Sequence, residues 1–418
     1  MDMNARASDI FQSTNDGQRA VAQPSDPIIR AVAFHLPQFH PIAENDEWWE
    51  KGFTEWTNVV KAKPRFSGHY QPHLPADLGF YDLRLPEARA AQAQLAASYG
   101  IYGFCYYHYW FNGRRILERP VNEICQSGEP DFPFCLCWAN ENWTRRWDGL
   151  ESEILLEQKY GPDDDLAHIR SLMPVFRDRR YIRIKDRPLF LIYRASGLPE
   201  PGRTTELWRR EAERAGLKGL FLARVESFGD WHGDPRSIGF DCSVDFQPRW
   251  ELMADARIFR RKWWHARRLG THEPGIRDNK VFRYKVLVEN ALAAPTPAYP
   301  RVPCVCPSWD SSPRRKHDAY VLMNSTPGLY EQWLSGVVNR MKPSDCPEIS
   351  ADSLVFINAW NEWGEGNHLE PCQKWARQYL EATRRVLGTP TSHSAEYFQR
   401  KKPCGQAAPA TQGIISEE

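Results

Sequence analysis

The sequence predicts an α/β fold, a single (β/α)8 barrel of the TIM type with long βα loops and flexible termini. Short apolar runs rich in Val, Ile, Phe, Tyr and Cys alternate with longer helical patterns along one continuous stretch. Polar and aromatic residues follow the carboxyl ends of the predicted strands, where such barrels hold their functional groups. A doubly wound sheet is the alternative, but no Gly-rich phosphate turn follows the first predicted strand.

Eight strands and seven helices are predicted, and the fifth connection between strands is irregular. The predicted strands are Arg30–Leu36, Gly103–Trp110, Pro133–Ala139, Pro188–Arg194, Gly219–Val225, Phe240–Phe246, Val302–Pro307 and Ser353–Trp360. The predicted helices are Pro86–Tyr99, Arg114–Gln126, Pro162–Arg177, Thr204–Ala215, Asn279–Ala293, Pro327–Met341 and Cys372–Leu387. Residues 1–26 and 391–418 lack apolar periodicity and predict flexible tails. The barrel domain is therefore expected over 27–390.

Charge and composition exclude some classes of protein. The 418 residues carry 54 Lys and Arg against 53 Asp and Glu, a formal charge of +1, which does not suit a globally basic nucleic-acid binder. No apolar run is long enough to span a membrane, and residues 1–23 lack the apolar stretch of a secretory signal. We therefore expect a cytoplasmic protein, with association at the inner face of the membrane as an open alternative.

The Cys and His residues do not predict a metal site. Two Cys-x-Cys pairs, Cys135/Cys137 and Cys304/Cys306, lie in predicted strands, whereas structural zinc usually has two to four residues between its cysteines. His69 and His73 have the spacing of one helix face, but Pro72 argues against a helix there. We expect buried packing cysteines, no metal and no cofactor.

The segment 356–366 points to acid–base chemistry. A hydrophobic strand leads directly into Glu362 and Glu365, which lie in a turn rich in Trp and Gly. Cleavage of a glycosidic bond needs one protonated and one ionised carboxyl group. Neighbouring carboxylates and apolar walls move the two pKa values apart. A solvated turn that begins the last helix is the alternative, but the position after the eighth strand favours a catalytic pair.

Other polar and aromatic residues on the same rim suit sugar hydroxyls and sugar ring faces. We expect eight of them to contact substrate: His35, Tyr107, His108, Trp138, Asn140, Glu141, Asn361 and Trp363. Each has an alternative structural role. The histidines are equally consistent with hydrogen-bonded core positions, and the Asn residues with turns whose side chains bond to the backbone.

Long motifs across Ile28 to Leu387 resemble those of the WbsX family, also described as glycosyltransferase WbsX or as glycoside hydrolase family 99-like. The motifs are Ala33–Pro41, Trp48–Trp49, Gly52–Trp56, Tyr70–Pro72, Leu78–Asp82, Gly103–Phe111, Cys137–Thr144 and Asn358–Gly366. The likeness to family 99 enzymes themselves is more distant and lies mainly in the barrel and in Asn361–Gly366.

The resemblance implies a metal-independent enzyme that acts on α-mannoside-like linkages with retention of configuration. Glu365 would be the acid/base, and Glu362 would deprotonate the 2-hydroxyl of the sugar, which then attacks the anomeric carbon. The ordinary retaining route instead uses a carboxylate nucleophile, and the sequence leaves both routes open. Family 99 commonly has His where this chain has Gly364, which leaves the identity of the sugar open.

The resemblance also implies a place in the biosynthesis of a bacterial surface polysaccharide such as O-antigen lipopolysaccharide. The substrate would be an oligo- or polysaccharide, with a lipid-linked form as an open possibility. A glycosyltransferase and a barrel that binds glycan without catalysis are the alternatives. The only candidate for an Asp-x-Asp metal motif of transferases is Asp163–Asp165, which is better explained by the first turn of a helix.

The segment 249–280 is basic, with nine Lys and Arg against four Asp and Glu, and its centre mixes Arg and Trp. It suits peripheral contact with an anionic membrane or with the diphosphate of a lipid-linked glycan. A solvated loop beside the active site is the simpler interpretation.

Overall fold

All eight predicted strands are present, in the predicted order. A computed structural model describes residues 29–145, 150–227, 233–258, 274–341 and 351–388. The barrel strands are β1 (Arg30–His35), β2 (Ile101–Phe111), β3 (Phe134–Trp138), β4 (Arg187–Ile192), β5 (Phe221–Val225), β6 (Cys242–Val244), β7 (Arg301–Val302 and Cys304–Val305) and β8 (Leu354–Ile357). Neighbouring barrel strands all pair in parallel.

The ring of strands closes through β7. Its first segment pairs with β6, where Ser243 lies opposite Arg301, and its second segment pairs with β8, where Cys304 lies opposite Phe356. Only Pro303 separates the two segments, and proline has no N–H to donate to a sheet. Strand β1 pairs with both β2 and β8. The chain therefore forms the predicted (β/α)8 barrel, and the fold class is confirmed.

Helices follow most of the strands and cover the outside of the barrel. They are α1 (Ala43–Trp48), α2 (Glu55–Lys61), α3 (Pro86–Ser98), α4 (Arg119–Ser127), α5 (Pro162–Phe176), α6 (Pro201–Arg214), α7 (Pro274–Arg277), α8 (Tyr284–Ala293), α9 (Pro327–Val338) and α10 (Gln378–Leu387). The described part of the β5–β6 connection holds only the short 3-10 turn Pro235–Ile238, so it is irregular as predicted.

Three helices begin later than predicted, because the residues predicted to begin them form strand pairs or turns instead. The segment Arg114–Ile116 pairs with the end of β2 as a hairpin, so α4 begins at Arg119. The segment Asn279–Arg283 is a strand that pairs in parallel with Ala319–Met323, so α8 begins at Tyr284. The last helix begins at Gln378, after the turns that follow Cys372.

Side chains of the barrel strands alternate between the interior and the surrounding helices. Phe34 points inward, where its ring lies 5.7 Å from Tyr107, 5.3 Å from Phe246 and 5.3 Å from Phe356. His35, the next residue, instead contacts Gln92 of α3. This alternation decides which residues at the strand ends can reach a ligand.

The predicted tails fall outside the described residues, since the structure describes nothing before residue 29 or after residue 388. Most of the basic segment 249–280 also lies outside them, because residues 259–273 are not described. None of the described helices is both long enough and apolar enough to cross a bilayer.

Candidate active site

A cleft of about 220 Å³ lies at the carboxyl ends of the barrel strands. Residues in or after seven of the eight strands line it: Leu36, Gln38 and Trp49 after β1, Tyr107 and Tyr109 in β2, Ala139, Glu141–Thr144 and Leu155 after β3, Tyr193 after β4, Phe246 after β6, Trp309 and Arg314 after β7, and Glu362 and Glu365 after β8. This is the position at which barrels of this type hold their catalytic groups. We call this space the cleft.

Glu362 and Glu365 meet on one buried guanidinium. Nη2 of Arg314 lies 2.8 Å from Oε2 of Glu362, and Nη1 lies 3.0 Å from Oε1 of Glu365. Nε of the same arginine donates to Oε1 of Glu55 at 2.7 Å. Three carboxylates therefore share one cation, and we call Glu55, Arg314, Glu362 and Glu365 the carboxylate cluster. If all three carboxylates were ionised, the cluster would carry a formal charge of −2.

The local fold after β8 places the two glutamates. Asn361 and Glu362 pair with Asn367 and His368 in a short hairpin, and a 3-10 turn, Trp363–Glu365, forms its loop. The turn ends at Gly366, whose left-handed φ of 55° suits glycine. The loop therefore directs Glu362 and Glu365 toward the same cation.

Gly364 allows the carboxylate cluster to pack tightly. A Cβ atom at this position would lie 1.5 Å from Oε1 of Glu55 and 2.8 Å from Nε of Arg314. No side chain fits there while Glu55 and Arg314 hold their places. A buried ion pair therefore fills the space that a side chain at position 364 would need.

The electrostatic environment of the carboxylate cluster favours one carboxyl group that stays protonated near neutral pH. Burial raises the pKa of Glu362 to about 8; Arg314 opposes the shift, and Glu365 and Glu55 add to it. Burial lowers the pKa of Arg314, but the three carboxylates outweigh it and hold this pKa well above its usual range. Glu362 therefore holds a proton near neutral pH and becomes a strong base once it loses that proton.

A further buried carboxylate, Glu370, packs on the side of the turn that faces away from the cleft. It accepts hydrogen bonds from Trp363 Nε1 at 2.6 Å, Gln92 Nε2 at 2.7 Å and the Tyr81 hydroxyl at 2.9 Å. Burial raises the pKa of Glu370 to about 7, against these donors, which lower it. Glu370 does not line the cleft and fixes the position of Trp363, the residue between the hairpin and Gly364.

The two raised pKa values predict how stability depends on pH. Between the ordinary glutamate pKa of 4.5 and the native values of about 7 and about 8, the folded protein binds more protons than the unfolded chain. The free energy of unfolding therefore falls as the pH rises through this window, by roughly 3 kcal/mol for Glu370. We expect urea unfolding to give a flatter pH profile for Glu362→Gln than for the wild type.

The exposed Glu289→Gln is the matched control and should keep the slope of the wild type. A Glu362→Gln variant that retains the full slope would contradict the raised pKa.

Two of the eight predicted substrate-binding residues line the cleft, Tyr107 and Glu141. Glu141 is held by Nε of Arg194 at 2.7 Å. A third, Asn140, lies just beneath and does not face the cleft: its amide donates to the Tyr160 hydroxyl at 3.0 Å and to the Arg194 carbonyl at 2.8 Å. Asn140 therefore supports the loop that carries Glu141.

Three further predicted residues, His35, His108 and Trp138, point away from the cleft. His35 Nε2 lies 3.2 Å from Oε1 of Gln92 on α3, and His108 Nε2 lies 2.8 Å from His168 Nε2 on α5. Trp138 is fully buried, and its ring lies 5.8 Å from that of Trp208. The reason is the strand alternation, because their inward-facing neighbours are Phe34, Tyr107 and Cys137.

The remaining two, Asn361 and Trp363, are fully buried and support the site from outside the cleft. Asn361 joins β8 to β1, since its Oδ1 accepts from Leu36 N at 2.7 Å and its Nδ2 donates to Leu36 O at 3.0 Å. Trp363 stacks on His368 with ring centroids 3.7 Å apart. The aromatic walls of the cleft come instead from Trp49, Tyr109, Trp143, Tyr193, Phe246 and Trp309, together with Tyr107.

Glu55 and Arg314 are site residues that sequence reasoning did not select. Glu55 is the first residue of α2, its N–H donates to the Gln38 carbonyl at 3.0 Å, and its side chain is fully buried. Arg314 ends the 3-10 turn Ser312–Arg314 after β7. The signal for Glu55 was present in the motif Gly52–Trp56, which contains a charged residue between aromatic neighbours.

The cysteines and histidines considered above as metal ligands lie in buried positions or contact other side chains. Cys135, Cys137, Cys304 and Cys306 are buried free thiols. His69 Nε2 contacts Asp310 Oδ2 at 2.7 Å, and His73 Nδ1 contacts His368 Nε2 at 3.1 Å. Within the described ranges, no group of three or more His, Cys, Asp and Glu side chains is arranged to hold a metal ion.

A family model described as "Glycosyltransferase WbsX" matches residues 31–383. The chain belongs to the WbsX family. Two curated relatives from strains of Xanthomonas campestris pv. campestris, both named "Uncharacterized protein WxcX", are 42% identical over 369 residues. The match covers 88% of this chain and 51% of each relative, so the chain spans about half the length of the curated relatives it matches. The description of the matched family is that of a glycosyltransferase, a class of carbohydrate-active enzyme.

Solved structures share the barrel of this WbsX family member. A "Glycoside hydrolase-like protein" has a TM-score of 0.51 at 12% identity and covers 87% of this chain and 95% of its own. The GH99 endo-alpha-mannosidase from Bacteroides thetaiotaomicron has a TM-score of 0.51 at 13% identity, with 89% and 98% covered. At these identities the likeness concerns the fold alone.

Proposed function

We propose that the chain cleaves or transfers α-mannoside-like linkages of a bacterial surface polysaccharide such as O-antigen, by a two-carboxylate mechanism that retains anomeric configuration. The observation that supports this most directly is the meeting of Glu362 and Glu365 on Arg314 inside an aromatic-lined cleft at the carboxyl end of the barrel. Two carboxyl groups with different environments are what glycosidic cleavage requires.

The two carboxyl groups differ in accessibility. The side chain of Glu365 is 23% exposed and that of Glu362 is 7% exposed. We assign Glu365 as the acid/base, because it must meet the leaving oxygen and then an incoming water or sugar hydroxyl. We assign Glu362 as the second carboxylate, which acts on the sugar's 2-hydroxyl or on the anomeric carbon. Either role needs the ionised form of Glu362, which its pKa of about 8 makes the minor form near neutral pH.

Two variants and two leaving groups test this assignment. Glu365→Gln should lose turnover of natural α-linked oligosaccharides by roughly a thousandfold, since general acid catalysis contributes about that much. It should keep first-turnover release of the phenol from an aryl mannoside, because that leaving group needs no proton, although the second step still lacks its base. Glu362→Gln should lose both reactions.

Equal losses on both leaving groups for Glu365→Gln would contradict its role as acid. A wild type that binds the oligosaccharide without turnover would favour a non-catalytic glycan-binding barrel.

A glycosyltransferase remains the second candidate, because the matched family is described by that name. The Asp163–Asp165 run does not support metal-dependent donor binding. It lies in the first turn of α5, where Asp164 accepts from Trp110 Nε1 at 3.0 Å and Asp165 accepts from the Thr204 hydroxyl at 2.7 Å. Turnover that depends on an added nucleotide sugar would establish the transferase.

The form of the substrate and the place of the reaction in the cell are also proposals. A lipid-linked substrate, a cytoplasmic location and contact with the inner face of the membrane remain predictions. The residues that would touch the membrane fall largely in 259–273, outside the described part of the chain.

A further inference from the structure

A buried aspartate, Asp310, contacts both turns that carry groups of the carboxylate cluster. It follows Trp309, which lines the cleft, but Asp310 itself does not line that space. Its side chain is only 7% exposed, and the chemistry proposed above does not use it. Burying a carboxylate is costly unless other groups bond to it, so its partners indicate what it does in the fold.

Asp310 joins the turn of Arg314 to the turn of Glu365. Its Oδ1 accepts from Ser312 N at 2.9 Å, and Ser312 begins the 3-10 turn that ends at Arg314. Its own backbone N–H donates to the Glu365 carbonyl at 2.5 Å. One residue therefore fixes, through two hydrogen bonds, where the shared guanidinium lies relative to the more exposed carboxylate of the cluster.

The contact between the two turns is tight. Gly366 follows Glu365, and an added Cβ at Gly366 would lie 2.9 Å from Cβ of Asp310 and 3.3 Å from its backbone N and O atoms. The Ser308 hydroxyl also donates to the Gly366 carbonyl. Close-packed groups transmit strain, so a displacement of Asp310 would also displace Glu365.

His69 and Gln71 hold the other carboxylate oxygen of Asp310. His69 Nδ1 accepts from the Arg65 N–H at 3.0 Å, so the ring proton lies on Nε2, which donates to Oδ2 of Asp310 at 2.7 Å. Gln71 Nε2 donates to the same oxygen at 2.6 Å. Both ring nitrogens of His69 are therefore engaged, and the histidine serves as an anchor.

The carboxylate of Asp310 stays ionised in this setting. Burial raises its pKa, but the hydrogen bond from His69 is the largest of the contributions that outweigh burial and keep the pKa below its usual value. Hydrogen bonds to an ionised acceptor are stronger than those between neutral groups. Arg65 also reaches the turn of Arg314 directly, since its Nη2 donates to the Ser312 carbonyl at 2.7 Å.

We propose that Asp310 is a positioning residue, which sets the place of Arg314 relative to Glu365. His69 and Gln71 are its anchors, and the role of Gln71 gives the sequence motif Tyr70–Pro72 a task at the site. The inference deepens the proposed function and rests on it for the catalytic consequence. Asp310 touches no sugar and acts through the two turns.

Turnover of a natural α-linked oligosaccharide tests the catalytic consequence. Asp310→Ala loses the bond to Ser312 N, so we expect kcat of the folded variant to fall roughly a hundredfold, because small misplacements of catalytic groups are costly. KM should stay within about threefold, since Asp310 lies outside the cleft.

Asp310→Asn is the conservative variant and should recover most of the lost kcat. It keeps an oxygen for Ser312 N, and the Gln71 amide can turn to offer its Oε1, which meets no partner among the described residues. Both substitutions at Asp310 remove the same charge, so a difference between them reports the bond to Ser312.

The pH dependence of kcat distinguishes positioning from a general loss of stability. Arg314 opposes the protonation of Glu362, whose pKa is about 8. A displaced Arg314 lets this pKa rise further, so the rising limb of the rate profile, which needs ionised Glu362, should move to higher pH in Asp310→Ala. A purely structural role would lower the folded fraction and leave the limb in place.

Asp234→Ala is the matched control. Asp234 Oδ1 accepts from Arg236 N at 2.9 Å at the start of another 3-10 turn, and neither residue lines the cleft. This variant should change neither kcat nor the rate profile. Gln71→Met is a milder test if Asp310→Ala does not fold, because it keeps the volume and removes one donor to Asp310. It should lower kcat roughly tenfold and move the limb in the same direction.

NMR of isotope-labelled glutamate side chains follows the geometry without turnover. The Glu362 carboxyl signal, identified by its absence in Glu362→Gln, should titrate at higher pH in Asp310→Ala and at the wild-type pH in Asp310→Asn and Asp234→Ala. This shift in a protein without turnover contradicts the proposed function and leaves the positioning role standing. An unmoved titration in the folded Asp310→Ala and Gln71→Met variants overturns the positioning role, whether or not the wild type turns over glycans.

Discussion

Arg314→Met should unfold the active site and lower the free energy of unfolding by about 3 to 5 kcal/mol, with loss of turnover. The substitution leaves Glu55, Glu362 and Glu365 facing one another without their shared cation. Glu55 is fully buried, so water cannot replace the lost contact. The loss should be largest at neutral pH and should shrink as the carboxyl groups protonate in acid. Urea unfolding at several pH values measures both effects.

Arg84→Met is the matched control, because Arg84 makes a partly exposed ion pair with Asp82 at 2.7 Å. Such pairs contribute about 0 to 1 kcal/mol. Arg314→Lys should recover only part of the stability, since one ammonium cannot present donors to three carboxylates in the planar geometry of a guanidinium. Equal destabilisation by Arg314→Met and Arg84→Met would mean that the carboxylate cluster does not need its cation.

Gly364→Ala should destabilise the protein by about 3 kcal/mol and remove turnover, although it adds only one methyl group. The new Cβ would overlap Oε1 of Glu55 at 1.5 Å. Relief requires Glu55 to leave Arg314, which also disturbs Glu362 and Glu365, the two glutamates proposed to be catalytic. Thermal unfolding and activity on oligosaccharides would be measured together.

Gly328→Ala is a suitable control, because nothing lies within 4 Å of an added Cβ there and the residue is in α9. It should be neutral or slightly stabilising. The double variant Glu55→Ala, Gly364→Ala removes the overlap and should be more stable than Gly364→Ala alone. Strict additivity of the two single changes would show that Gly364 and Glu55 do not compete for space.

The fold was largely predictable, because each strand is a local pattern of apolar residues between turn signals. The errors concern elements that depend on a distant partner. The run Asn279–Arg283 has no local feature that separates it from the helix that follows, and it forms a strand because Ala319–Met323 pairs with it. The split of β7 is the converse case, since Pro303 is visible in the sequence but its role in closing the ring is not.

The candidate site was predictable in part. Glu362 and Glu365 could be selected because both the turn and the strand before it are local. His108 was selected beside Tyr107, yet consecutive strand residues face opposite sides, so only one of the two can reach the cleft. Strand alternation was available from the sequence and would have removed His35 and Trp138 as well. Arg314 and Glu55 are 259 residues apart, and no local pattern links them.

The pairing of Asn361 with Leu36 has a consequence for synthesis of the protein. These two residues are 325 positions apart, and their hydrogen bonds join the first and last barrel strands at the end that holds the cleft. While the chain is still emerging from the ribosome, the segment with Asn361, Glu362 and Glu365 is made long after β1. The cleft can therefore assemble only when the last strand has been made and the ring closes.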